Sequence, residues 1–212
     1  GEKALWEVSS VLAQISKENS CSVASAGGVT CLIHMANAWP SRWISRNVCR
    51  ALTTILEDAD TSVRSELEEM VTDVAVDTVT RFPDDCGLVR MAFHLLTVGA
   101  FRILGRDQDG ETIHELVRHI ARIGDAMRGN SQFVVVAYRG CQALQSVARS
   151  DLGREAVETA GNLSCVMTAM KTHPDCSLVI SSATEVLLTF TEASPLWGFH
   201  MVVDAGFLPH MM

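Results

Sequence analysis

His114 and His119 are the closest pair among seven histidines, and a search for metal chemistry begins with such pairs. On a helix, five residues turn the second imidazole about 140° from the first, so the two cannot clasp one ion as an i, i+4 pair does. The seven cysteines are odd in number and widely spaced, with no Cys-x-x-Cys pair. Cys141 can be read as a nucleophile, but it shares its place in an internal repeat with Cys49, which favours a structural role. The carboxylates of Glu66, Glu68 and Glu69 read as a solvated helix face. No HExxH, P-loop, GxSxG or dinucleotide fingerprint occurs. The expectation is a chain that is not an enzyme and needs no metal or organic cofactor.

Trp39 and Trp43 flank Pro40 in AWPSRWIS. Tryptophans at a turn between helices either cap an apolar layer, the reading favoured here, or anchor a partner if exposed, because Trp and Arg dominate interface hot spots. What positions such residues is a concealed repeat. AGGVTCLIHM begins at Ala26 and AGNLSCVMTAM at Ala160, an offset of 134, or three steps of about 45 residues, and that period marks stacked helical units. A further Ala-Gly stands at Ala205.

A second landmark is a helix with anchors at Ala4, Val48, Ala92, Gly140 and Ala183. Apolar residues at 0, +3, +4 and +7 from the anchor form one helical face; in the second copy these are Val48, Ala51, Leu52 and Ile55, and in the first Ala4, Glu7, Val8 and Val11. Pro40, Pro83 and Pro174 precede their anchors by eight or nine residues, where proline starts a helix without interrupting it. The Asp after Pro83 and Pro174 can cap the helix that follows. GNS at Gly129 replaces the proline in the fourth unit, and DADTS from Asp58, RDQDGE from Arg106 and DLGRE from Asp151 read as polar breaks. Each unit therefore reads as a short helix, a middle helix starting near Ala-Gly and a long third helix. The middle units are degenerate, with EEMVTDVAVDTV and IHELVRHIARIG where Ala-Gly is expected. QFVVVAY from Gln132 is strand-like by propensity but lies on the long-helix register, and packing overrides propensity. Cys31 and Cys165 share one repeat position, Cys49 and Cys141 another; all four are expected to be small buried fillers, too far apart to bridge.

Composition agrees. The 212 residues are 48% hydrophobic, enough for a substantial core, and no run approaches the length of about 18 apolar residues that spans a membrane. A net charge of −8 without a Lys/Arg run argues against nucleic acid as a partner. With neither a signal-peptide core nor a lipidation motif, the reading is cytoplasmic or nuclear, without membrane insertion.

On these residues the chain resembles the armadillo repeat family. EAVETAGNLSCVMTAMKTHPDCSLVISSATEVLLTF, from Glu155 to Phe190, looks like one whole armadillo unit, and CQALQSVA from Cys141 resembles the core of its third helix. HEAT repeats, with two helices per unit, are the nearest alternative; the glycine between the first two helices favours armadillo. The resemblance implies an all-α, right-handed armadillo-like helical solenoid of about four three-helix units within a single array over 1–212. Its units would be 1–15 (partial), 16–57, 58–105, 106–149, 150–192 and 193–212 (partial). Both ends read as open, which predicts an excerpt of a longer protein or ends covered by another chain.

The resemblance further implies a concave groove lined by third helices. Importin-α-like members carry Trp at +2 and Asn at +6; here the +2 ladder is Trp6, Arg50, His94, Gln142 and Glu185, and the +6 ladder is Ser10, Thr54, Val98, Ser146 and Thr189. Only Trp6 matches, which argues against a basic import signal as ligand. The +9 ladder is Ala13, Glu57, Phe101, Arg149 and Glu192. The partner-binding set is Trp6, Ser10, Arg50, Thr54, His94, Phe101, Gln142, Ser146, Arg149 and Glu185, with Trp39 and Trp43 as the competing turn patch. The function implied is a non-catalytic scaffold or adaptor that holds a protein or peptide in the groove. The alternative is a regulatory armadillo segment of a larger multidomain protein, such as a chaperone cofactor, exchange factor or kinase, contacting its own neighbouring domains. Changing Arg50→Glu together with Gln142→Ala is expected to weaken binding by roughly 2 kcal/mol.

Overall fold

A computed structural model describes residues 2–58, 65–105 and 110–193, with side chains described for 7–58, 69–105 and 113–192. Most of the DADTS break (59–62), the RDQD of the second break (106–109) and the Ala-Gly at Ala205 lie outside the described residues. Ten helices and no strand occur among the described residues, so the chain is all-α. The strand-like QFVVVAY segment enters α7 (Val134–Ala148). The helices group into two compact units, Gly1–Asp107 and Gln108–Met212.

The first unit contains α1 (Glu2–Ser25), α2 (Gly28–Ala38), α3 (Arg42–Glu57), α4 (Ser65–Arg81) and α5 (Cys86–Leu104). α3 packs between α1 and α5, while α2 lies against α1 and α3, and α4 against α5 and α2. The anchor register explains the arrangement. Ile44, Val48, Ala51, Leu52 and Ile55 of α3 and Leu88, Ala92 and Leu96 of α5 are all fully buried. α1 bends at Asn19 (φ −145°, ψ 46°), near the expected start of the second unit. Val8 and Val11 depart from the expected core stripe: they are 48% and 55% exposed. The α1 face that packs on α3 instead carries Ser9, Ala13 and Ser16, and the Asn47 amide donates to Ser9 Oγ at 3.0 Å.

The second unit contains α6 (Gly110–Gly129), α7, α8 (Asp151–Thr159), α9 (Leu163–Thr172) and α10 (Ser177–Ala193). α7 packs on α6, α8 and α10, and α9 on α10. Val136, Leu144 and Val147 of α7 and Val179, Ala183 and Val186 of α10 are fully buried.

The two Ala-Gly motifs do the same job in both units. Gly27 (φ 80°) and Gly161 (φ 69°) are the two positive-φ residues among those described. Each ends one helix in the left-handed region that glycine adopts without a Cβ penalty. The degenerate middle units lack this signal, and each has one unbroken helix, α4 or α6, where two were expected.

Three local readings need correction. DLGRE is the first turn and a half of α8, capped by Ser150, whose Oγ accepts from Gly153 N at 3.1 Å. The cap of α5 is Asp85, which accepts from Gly87 N and Leu88 N at 3.1 and 3.0 Å, while Asp84, the residue directly after Pro83, pairs with Arg42. Cys49, Cys141 and Cys165 are buried as expected, but Cys31 is exposed, because the α2 face packed in the core is formed by Val29, Leu32, Ile33 and Ala36. α5 is apolar enough to cross a membrane by length and composition alone; its packing between α3 and α4 accounts for that composition.

Candidate partner-binding surface

α3 carries large polar and aromatic side chains on the side away from its core stripe. Trp43, Arg46, Arg50, Thr54 and Glu57 fall within about 80° around the helix axis. Of these, Thr54 is half-buried and the others exposed. The expectation that Trp39 and Trp43 cap an apolar layer does not hold: they are 46% and 63% exposed. Trp39 terminates α2, and Trp43 lies in the first turn of α3. The Arg46 guanidinium sits over the Trp43 ring, 5.8 Å from its centroid, a cation–π distance. Trp43 of the turn patch therefore shares one stripe of α3 with Arg50 and Thr54 of the third-helix ladder, two sites treated as competitors from the sequence.

α5 supplies the adjacent stripe, with Arg90, His94 and Phe101 within about 40° of one another and all exposed. Contacts tie the two helices at both ends. Arg46 Nη2 lies 3.5 Å from Asp85 Oδ1, His94 Nε2 is 3.0 Å from Glu57 Oε1, and Arg102 Nη1 donates to the Leu56 carbonyl at 3.0 Å. At the mouth of the turn, Arg42 pairs with Asp84 at 2.9 Å and stands over the Phe82 ring. That hydrogen bond holds the Asp84 carboxyl below its ordinary value. Arg50 and Arg90 have no ion-pair or side-chain hydrogen-bond partner among the described residues.

The other ladder positions divide. Ser10 and Ser146 are half-buried, and Arg149 and Glu185 exposed. Val98 at +6 and Ala13 at +9 are buried, so not every ladder position faces outward. Gln142 is occupied within its own helix: Arg139 donates to its Oε1 at 2.7 Å, and its Nε2 donates to the Tyr138 hydroxyl at 2.8 Å. Glu185 accepts from Gln145 Nε2 at 2.7 Å, joining α10 to α7. Trp6 lies in α1, with its side chain outside the described residues.

No family model, curated protein or solved structure matches this chain. The surface is therefore read from its own chemistry.

Sequence reading missed Arg46 and Arg90, both two residues before their anchors. The signal was present, since Arg42, Arg46 and Arg50 recur every four residues and Arg90 stands 44 after Arg46. The thiols offer a contrasting chemistry. Burial pushes Cys49 up to about 11, partly offset by Thr78, and Cys141 up to about 12, partly offset by Ser182. Both stay protonated at neutral pH, which suits fillers and not nucleophiles. No group of three or more potential metal ligands occurs among the described residues.

Proposed function

We propose that this chain is a non-catalytic, armadillo-like repeat segment, a right-handed helical solenoid whose third helices hold a segment of a partner protein. The observation that carries this reading is the paired stripe on α3 and α5: exposed Trp43 and Phe101 flank exposed guanidiniums directly opposite a fully buried apolar stripe. Folding alone gives no reason to leave these side chains in water, and Trp and Arg are the residues that most often anchor interfaces. The α8–α9–α10 trio, with Gly161 between its first two helices, supports the armadillo reading of the last unit. The α4–α5 and α6–α7 pairs are degenerate versions with the first two helices fused.

Photo-crosslinking tests the proposal. A benzophenone side chain at Arg50, one at Phe101 and one at Lys171 on α9 are irradiated in a source lysate, and adducts are identified by mass spectrometry. The expected result is one protein captured from both Arg50 and Phe101 but not from Lys171. Equal capture of the same proteins from all three positions overturns it. A regulatory segment contacting its own neighbouring domains is the second reading, favoured by the exposed Val8, Val11 and Ile15 on α1. It predicts adducts within a longer form of the same polypeptide.

A further inference from the structure

We infer that the α3–α5 face binds an acidic segment of a partner protein; this rests on the protein-binding reading and specifies its ligand. Four cationic or cationisable side chains occupy neighbouring turns of two packed helices: Arg46 and Arg50 on α3, Arg90 and His94 on α5. Arg46 contacts the start of α5 at Asp85, and Glu57 contacts His94. These two contacts bracket Arg50 along α3 and Arg90 along α5.

The carboxylates facing this surface are already committed. Asp84 serves Arg42; Asp85 caps α5 and reaches Arg46; Glu57 serves His94. Arg50 and Arg90 are left with no internal counter-charge on a chain whose net charge is −8. Arg42 also stands in the first turn of α3, where no acidic residue occurs and the helix dipole disfavours a cation. Arg50 and Arg90, unlike the paired Arg42, Arg46 and His94, therefore add little to the stability of the fold. A guanidinium presents a planar fork that pairs bidentately with a carboxylate. Two free forks, with Trp43 at one end and Phe101 at the other, fit a peptide that carries carboxylates between apolar side chains. The face is a short patch on two helices and not the long basic stripe that tracks a nucleic-acid backbone.

Fluorescence anisotropy tests this. The probe is a fluorescein-labelled synthetic peptide of Glu, Ser and Phe, and the comparators are a Lys-for-Glu version and single-stranded oligothymidine. The whole chain is compared with Arg50→Glu/Arg90→Glu, and with Arg118→Glu/Lys171→Glu, which makes the same change in net charge in the second unit at exposed positions outside the proposed surface. Melting curves verify that each variant folds. The expected result is saturable binding of the acidic peptide, weakened at least about tenfold by the first pair and less than about twofold by the second, consistent with loss of charge-paired anchors. Equal weakening by both pairs, equal binding of the Lys peptide, or equally Arg50-dependent binding of oligothymidine overturns the inference, as does absence of binding. If the peptide fails while crosslinking from Arg50 still captures a partner, the acidic specificity is wrong and the protein-binding reading stands. If both fail, that reading falls too.

Discussion

At the scale of single residues, the buried thiols set a pH limit on the fold. Cys49 and Cys141 have folded-state values of about 11 and about 12, above the ordinary 9.0, chiefly through desolvation. The folded chain therefore favours the protonated thiol. This contribution is fully present below pH 9 and is lost as pH rises through 9 towards 11 and 12, because the unfolded chain releases these protons first. Urea midpoints are expected to fall over that window, and Cys49→Ser/Cys141→Ser to flatten the fall. An unchanged slope in the double variant contradicts the assignment. Sequence reading recognised these two cysteines because each directly follows a buried anchor. It failed for Cys31, since a shared register fixes a helix position but not which neighbours cover it.

At the scale of elements, packing of α6 against the loop before α9 depends on a missing side chain. Asn162 is fully buried, its amide donates to the Ile120 carbonyl at 2.5 Å, and its Oδ1 lies against Gly124. A Cβ at Gly124 would collide with that side chain, whereas one at Gly129 meets nothing within 4 Å. Alanine favours a helix over glycine by about 1 kcal/mol, but displacing a buried, hydrogen-bonded side chain costs about 1–3 kcal/mol. Gly124→Ala is therefore expected to lower the unfolding free energy by up to about 2 kcal/mol, and Gly129→Ala to leave it within about 0.5 kcal/mol. A stabilised Gly124→Ala variant contradicts the packing. The long-helix register and the Gly27 and Gly161 turns were legible because they follow from periodicity and backbone sterics. The fused α4 and α6 were not: only the absence of an Ala-Gly pair marks them, and an expected break was read into unbroken helical sequence.

At the scale of the whole molecule, the ladder logic correctly placed Arg50, His94 and Phe101 on the surface of the first unit but misplaced Ala13 and Val98. Exposure of a ladder position depends on which helix lies beside it; α3 covers Ala13, and helical angle alone cannot show this. The same limit separated Trp43 from Arg50 in the sequence reading, although both lie on one stripe of α3. The proposed function rests on that stripe, so side-chain oxidation footprinting of the chain, with and without its crosslinked partner protein, tests it most directly. The account predicts that Trp43, His94 and Phe101 lose reactivity on binding, while exposed Met70 on α4 keeps it. Unchanged reactivity at Trp43, His94 and Phe101, with protection at Met70 or confined to α6–α10, would contradict it.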